Sequence, residues 1–352
     1  MWCSEFSTRN FRNLSPLRIS WGPGLNLVTG NNGAGKTNCL EGLHLLTGWG
    51  PFGDRKDLVS WEKESVQAFL GGSFCGEENV FVAASIGGNT VMKCDGRRIS
   101  FPEVRSRVPA LAFLPGDMSI LDGAPSIRRN FLDRLCALLF PLYARRLSDY
   151  RRAVRHRTVL LRSGKRTDAV SRTMAPLVSW IWQCREEAVR LLTLGLSAFQ
   201  GLLPGILELK HTRGGAGLKD DGIEDWWASL EARSEKEKQL CISMVGPHRD
   251  DLYICCRERE AAACFSRGQI RRASVSLMLA AGKAVEARLR RKPIVLLDEI
   301  ASELDKNGRE STVEALHSTG WQVIAAAAEP ITDHWPGSVW KVEEGFVISL
   351  GA

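Results

Sequence analysis

The stretch "LNLVTGNNGAGKTNCLEGLHLL" (residues 25–46) holds three patterns in succession. An apolar, strand-like run at 25–30 leads into "GNNGAGKT" (30–37). A helical pattern follows, with Leu40, Leu43 and Leu46 on one face. The middle segment fits G-x-x-x-x-G-K-[ST] and stands between a strand and a helix, where a phosphate-binding loop belongs. Gly30, Gly33 and Gly35 let the backbone curl so that N–H groups along Asn31, Asn32 and Ala34 point at phosphates. The helix beginning at Lys36 adds its positive end. Lys36 is expected to reach the β- and γ-phosphates, and Thr37 to ligate Mg²⁺.

A second nucleotide element lies far downstream. "PIVLLDEI" (293–300) reads as a strand buried on both faces that ends in two acids. Asp298 is expected to hold Mg²⁺, directly or through water, and Glu299 to orient or deprotonate an attacking water. Alone such a strand end is a weak signal; after a complete phosphate loop it is a strong one. Asp305, in "ASELD" (301–305), has two open readings: a cap for the helix "KNGRESTVEALH", or a part of the nucleotide site.

Between these elements "FSRGQIRRAS" (265–274) forms a second phosphate-friendly helix start. Ser266 can cap it, free N–H groups of its first turn can face an anion, and Gly268 has no side chain to block close approach.

Composition sets broad limits. At 352 residues the chain has room for one large or two ordinary domains, and 44% apolar with 25% charged residues is a globular composition. No uncharged apolar run approaches the ~20 residues that cross a bilayer, and the N-terminus lacks the apolar core of a signal peptide. A cytoplasmic location without a membrane partner is expected. The ten cysteines include no C-x-x-C pair, so they read as reduced and mostly buried.

The α/β pattern is split. Strand-like runs occupy the N-terminal part through "ALAFL" (110–114) and return at "DLYICC" (251–256), "IVLLD" and "WQVIAAAA" (321–328). From Ser126 to about Leu203 the pattern is helical, broken at Pro141, at 162–168 and at Pro204. The expected division is a lobe of residues 1–124 plus 245–352 with a helical insert, residues 125–244. No heptad pattern is sustained over three or four turns.

The order of phosphate loop, helical insert, S-x-G-Q, apolar-Asp-Glu and S-E-L-D resembles the head of ABC-type ATPases. "FRNL" (11–14), "GAPSIRRNFLDRL" (123–135), "GPHRDDL" (246–252) and "SRGQIRRASVSLMLA" (266–280) narrow the resemblance to the RecF family of bacterial recombination proteins, from one end of the chain to the other. The resemblance implies an α/β fold, an ABC-type P-loop ATPase head of the SMC-like branch. A mainly helical second lobe would stand in place of a long coiled coil. It implies slow ATP hydrolysis and an ATP-driven homodimer, with Arg12 and Asn13 added to the ATP site. Ser266, Gly268 and Gln269 would complete the partner's site as the signature motif, beside Asp305 in the D-loop. It also implies single-stranded, gapped or junction DNA as the substrate of binding, with RecO, RecR and, indirectly, RecA as partners in gap repair and the SOS response.

Two departures bear on turnover. Where ABC-type heads carry a glutamine, "AFLPGDMS" (112–119) offers Pro115 and Asp117, and Gly116 departs from the family's Pro-Glu-Asp. Where a switch histidine or threonines are usual, "IAAAAEP" (324–330) offers neither a hydroxyl nor an imidazole. Slow hydrolysis follows, and a nucleotide-binding DNA scaffold without useful hydrolysis stays open. An ABC transporter motor subunit is the other alternative, disfavoured by the "FRNL" start and the arginine-rich insert. A fused nuclease is disfavoured because only about fifty residues follow Asp298.

Between Arg128 and Arg166 twelve basic residues face two acids, a local +10 in a chain of net +7. On a helix, Tyr143, Leu147, Tyr150, Val154 and Leu161 share one face, and Arg145, Arg152, Arg155 and Arg162 share a neighbouring arc. Such an arc suits a phosphate backbone without base specificity; a solvated or protein-docking face is the other reading. "GPHRDDL" carries no firm role beyond a hydrogen-bond network or a brace for the signature helix.

Overall fold

The computed structural model describes residues 1–53, 58–60, 67–299, 304–328, 331 and 335–351. One sheet is antiparallel, in the order β2 (Leu17–Ile19), β1 (Trp2–Arg9), β4 (Ala68–Cys75), β5 (Val80–Ile86), β6 (Thr90–Cys94), β7 (Arg97–Ile99). The second runs β15 (Phe346–Gly351), β14 (Gly337–Glu343), β3 (Leu25–Thr29), β13 (Gln322–Ala327), β12 (Ile294–Asp298), β8 (Ala110–Phe113). Its strands pair in parallel from β14 to β8, and only β15 is antiparallel.

Helix α1 (Lys36–Leu46) lies between the two sheets. Val28, Leu296, Ile324 and Ala326 join Leu40, Leu43 and Leu46 in one core with Phe6, Leu70 and Phe74 of the antiparallel sheet. The alternate positions Leu27, Val295, Leu297, Val323 and Ala325 enter a second core with the insert. Because successive side chains of a strand point to opposite faces, a strand serving two cores is apolar on both. "IVLL" has that composition. The buried amides Asn26 of β3 and Gln322 of β13 are exceptions, each held by hydrogen bonding to Gly22.

The insert is helical where the pattern is helical: α3 (Pro125–Leu139), α4 (Tyr143–Arg162) and α5 (Asp168–Leu196). A short helix α2 (Phe101–Arg107) precedes β8, and α6 (Gly222–Leu240) follows β9 (Glu208–Thr212). α5 packs along α8 (Arg267–Leu289), which carries the insert onto the parallel sheet. The approach is close at Gly195, where a Cβ would lie 2.5 Å from the Ala280 carbonyl oxygen. α9 (Lys306–Thr319) joins β12 to β13.

A small sheet crosses the expected 244/245 division. β9 of the insert pairs with β10 (Asp251–Cys256), which pairs with β11 (Arg259–Glu260) ahead of a short α7 (Ala261–Cys264). "GPHRDDL" stands at this crossing. Asp250 is fully buried and accepts from Trp182 Nε1 (2.9 Å), Gly214 N (2.6 Å), Arg185 Nη1 (2.5 Å) and His211 Nε2 (2.8 Å). Asp251 takes a two-point pair from Arg128 at 2.7 and 2.9 Å, and Arg129 donates to the Asp250 carbonyl oxygen at 2.8 Å. Two stretches more than a hundred residues apart, "PSIRRNFLD" and "GPHRDDL", thus interlock.

Burial alone would raise the Asp250 pKa, but Arg185 and His211 hold it well below the usual carboxylate range. His248 Nδ1 lies 2.6 Å from the Tyr150 hydroxyl and its Nε2 3.0 Å from the Ser243 carbonyl oxygen. The motif is a hydrogen-bond hub of the insert.

Candidate nucleotide site and signature helix

Strand β3 ends at Thr29 and delivers the loop between the two sheets. Gly30, Gly33 and Gly35 all have positive φ, 146°, 80° and 119°. A Cβ at Gly30 would lie 2.2 Å from the Val342 carbonyl oxygen, so both the dihedral and the neighbour strand β14 demand glycine there. Asn31, Asn32 and Gly33 are exposed, and Ala34 is half-buried. Lys36 is folded back into the loop, its Nζ 2.8 Å from the Gly30 carbonyl oxygen and 3.3 Å from that of Asn31.

Strand β12 brings the acids to the same place. Thr37 Oγ1 donates toward Asp298, 3.0 and 3.1 Å from its two oxygens. Glu299 Oε1 lies 3.3 Å from Lys36 Nζ. The Asp298 pKa is raised, chiefly by burial, against the Thr37 hydrogen bond that lowers it. A buried carboxylate with a hydroxyl beside it, at the start of a helix, is a fitting place for a hard divalent cation. Among the described residues no group of three or more His, Cys, Asp and Glu forms a cation cage, so such an ion would share its ligands with phosphates and water.

Glu299 sits at φ 51°, a left-handed conformation that is strained for a residue with a Cβ. Its N–H donates to the Ala326 carbonyl oxygen at 2.9 Å, and its Oε2 accepts from Ala328 N at 3.3 Å. The alanine run, without a hydroxyl or imidazole, thus engages Glu299 through its backbone. Glu329 and Pro330 of that stretch lie outside the described residues, as do Ser302 and Glu303 of "ASELD".

"FRNL" flanks the loop. Asn13 Nδ2 donates to the Gly33 carbonyl oxygen at 2.9 Å, and its Oδ1 accepts from Asn38 at 2.7 Å. Arg12 forms a two-point pair with Glu41 at 2.8 and 2.9 Å, and Glu41 Oε1 also accepts the Phe52 N–H at 2.8 Å. The sequence reading passed over Glu41 and Asn38. The signal for Glu41 is an acid beside the apolar Cys39, Leu40 and Leu43, and it is 1% exposed.

Helix α8 starts with the residues expected to form the signature motif. Ser266 Oγ accepts the Gln269 N–H at 3.4 Å while Gln269 Oε1 accepts the Ser266 N–H at 2.8 Å, a reciprocal cap. A Cβ at Gly268 would meet nothing within 4 Å, so the chain's own packing does not require a glycine there. Met118, in the turn after β8, accepts through its carbonyl oxygen from Arg271 (2.8 Å) and Ser274 (2.9 Å). Asp117 of that turn pairs with Arg134. Asp305 caps α9 by accepting the Gly308 N–H at 2.8 Å.

The insert's positive charge is less free in space than in sequence. Arg157 is buried, with its guanidinium on Glu237, Ser171 and Ser243. Arg128 and Arg134 pair with acids outside the 128–166 window, and Arg146 lies over the Trp180 ring at 4.3 Å. Arg145, Arg152, Arg155 and Arg162 are exposed along α4; Arg152 pairs with Asp149.

Residues 3–332 match the family model described as the RecF/RecN/SMC N terminal domain. A solved Smc head domain with an extended coiled coil, bound to the C-terminal domain of ScpA derived from Pyrococcus furiosus, is similar in fold. It has a TM-score of 0.57 at 15% identity, covering 99% of this chain and 96% of that one. Nearer in sequence are two proteins named DNA replication and repair protein RecF. One, from Heliobacterium modesticaldum, is 32% identical over 90% of this chain and 89% of its own. The other, from Deinococcus deserti, is 32% identical over 96% and 92%. A solved structure of the recombination mediator protein RecF-ATPrS in the RecFOR pathway superposes with a TM-score of 0.88 at 25% identity, covering 99% of this chain and 98% of that one. The chain belongs to the RecF family of DNA replication and repair proteins, on an SMC-type ATPase head. No described helix is long and apolar enough to cross a membrane.

Proposed function

We propose that this chain is an ATP-dependent DNA-binding ATPase that closes as a homodimer around two ATP molecules and hydrolyses them slowly. The observation that carries the reading is the convergence of Lys36, Thr37, Asp298 and Glu299 on one loop, with Thr37 Oγ1 3.0 Å from Asp298 and Lys36 Nζ 3.3 Å from Glu299. On binding, the β- and γ-phosphates take Lys36 from the loop carbonyls, and the N–H groups of residues 31–37 turn toward them. Thr37 and Asp298 would hold Mg²⁺, which supplies charge neutralisation for the phosphates. Glu299 orients the attacking water and accepts its proton. Only the backbone of the alanine run reaches this acid, so turnover is slow.

Each chain has one phosphate loop, and its signature helix starts elsewhere on the surface. Ser266, Gly268 and Gln269 therefore serve the nucleotide of a second copy, with Asp305 beside that contact. Arg145, Arg155 and Arg162, exposed and without an ion-pair partner among the described residues, supply a sequence-independent contact to DNA phosphates; Arg152 adds to it once released from Asp149. The relatives named for DNA replication and repair and for the RecFOR pathway support a role in recombinational repair with RecO and RecR as partners.

The test is DNA binding by structure type with and without ATP, read alongside molecular mass by light scattering. ATP is expected to double the mass and tighten DNA binding, with an affinity that falls as salt rises. A mass unaffected by ATP would overturn the reading.

A further inference from the structure

The antiparallel sheet turns one face to α1, and among the described residues nothing packs over the other. Two large apolar side chains stand on it, where a solvated strand face is ordinarily polar. Phe69 of β4 and Phe81 of β5 are 42% and 46% exposed on it. Between them the sheet is lined with small residues, Ser7, Gly71 and Ala83, which pair in register across β1, β4 and β5. Phe81 folds over this floor: a Cβ on Gly71 would lie 3.2 Å from Phe81 Cζ and 2.9 Å from Ser7 Oγ. The result is a shallow trough of about 470 Å³ lined by both aromatic rings.

Cations rim the trough. The Arg9 guanidinium lies 5.9 Å from the centre of the Phe69 ring. Lys93 and Arg98 are paired in register on β6 and β7, and both are exposed. Arg18, opposite Ser7, pairs with Glu5 at 2.7 Å, the one acid among these outward strand positions. Asp95, in the turn between β6 and β7, has its carboxylate engaged by the Phe81 N–H at 2.9 Å.

From strand rise and spacing the two phenylalanine Cα atoms stand roughly 14 Å apart. Exposed rings on a basic sheet face fit an extended polyanion with free π-faces: rings stack on bases while the rim takes phosphates. An acidic peptide would use the rim but match the rings only where it carried apolar or aromatic side chains, whereas every base of a single strand offers a π-face. A duplex hides its base faces within its own stack.

We propose that this face is a stacking platform for single-stranded DNA, separate from the arginines of α4. The proposal rests on the reading of the chain as a DNA-binding ATPase.

The experiment is fluorescence anisotropy of the full chain with ATP. The probes are labelled oligothymidylate and a blunt duplex of equal length, tested on the wild type, the Phe69→Ala/Phe81→Ala variant and the Lys93→Ala/Arg98→Ala variant. The phenylalanine variant is expected to bind oligothymidylate about tenfold more weakly and duplex within about twofold of wild type, with unchanged ATP affinity and melting temperature. The cation variant is expected to show a shallower salt dependence for oligothymidylate. Equal oligothymidylate affinity in a folded phenylalanine variant, or an equal loss for duplex, overturns the platform alone. If that variant keeps oligothymidylate but loses an acidic protein partner, the face is a protein-docking surface and the proposal fails. A wild type that binds neither probe overturns the DNA-binding reading itself.

Discussion

Arg185 and Asp250 form an ion pair of 2.5 Å in which the two residues are 1% and 0% exposed. The same guanidinium donates to Asp133 at 2.7 Å, to the Pro247 carbonyl oxygen at 2.7 Å and to the Tyr143 hydroxyl at 3.0 Å. It joins α3, α4 and α5 to the 246–252 turn. Removing one member of a buried pair strands the other. Asp250→Ala is expected to cost about 3–5 kcal/mol of unfolding free energy, measured by urea denaturation. A loss under about 1 kcal/mol would show that the hub is not an interior support.

Lys36→Ala removes the cation that faces the phosphates. ATP binding and the ATP-driven increase in mass should both disappear, measured by calorimetry and light scattering. A variant that still dimerised with ATP would contradict the proposed site.

Glu299→Gln keeps the shape and removes the base. Hydrolysis is expected to fall by about 10²–10⁴-fold while ATP binding persists, so the ATP-bound dimer should live longer. Phosphate release and dimer lifetime measure the two arms. An unchanged hydrolysis rate would move the role away from this acid.

Gly268→Ala separates folding from assembly. The added methyl meets nothing inside the chain, and alanine is the better helix former by up to about 1 kcal/mol. The monomer should therefore melt no lower and bind ATP normally, while ATP-driven dimerisation weakens about tenfold or more. Ser266 substitutions should share the assembly defect. Undiminished dimerisation would mean that the helix start does not face a second copy.

His44 gives the protein a sensitivity to acid. Burial beside Trp49 and Phe52 pushes its imidazole pKa down to about 3. The unfolded chain takes up this proton near pH 6.5 and the folded chain does not. Its contribution is whole above that pH and declines by about 1.4 kcal/mol per unit as the pH falls toward 3. His248 is shifted in the same direction, and His211, raised by Asp250 and Glu186 against its burial, in the opposite one. His44→Gln should flatten the fall of melting temperature below pH 6.5; an unchanged slope would argue against a buried neutral ring.

Much of this architecture is legible along the chain. Runs that serve two cores are almost continuously apolar, so "ALAF" and "IVLL" stand out, and "LNLVT" does so despite Asn26, which is buried on hydrogen bonds to Gly22 and Gly24. Helices α3 and α4 end at Pro141 and at the 162–168 turn that mark them in sequence, while α5 continues through Pro176 and ends ahead of Pro204. Weaker elements did not stand out. β1, "WCSEFSTR", carries a register shift between Cys3 and Glu5 that spoils its alternation. β4, "AFLGGSFC", has two glycines, poor strand formers that are tolerated because Ser7 and Phe81 on one face and Leu46 on the other crowd them. β9, polar and short, is a strand only because β10 pairs with it.

The sequence by itself determined the phosphate loop, the acid-ended strand, the capped signature helix and the arginine-rich stretch, because each is a local pattern written within a few residues. Tertiary structure alone decided what those charges do. Arg157 belongs to the arginine-rich run, yet it is buried on Glu237, and Arg128 answers Asp251 across 123 residues of chain. Aspartates that look alike in sequence become a hub at 250 and a helix cap at 305. Spacing along a chain sets which residues share a face. It does not set which opposite charge the fold brings to that face, and for a buried ionic group that partner determines its role.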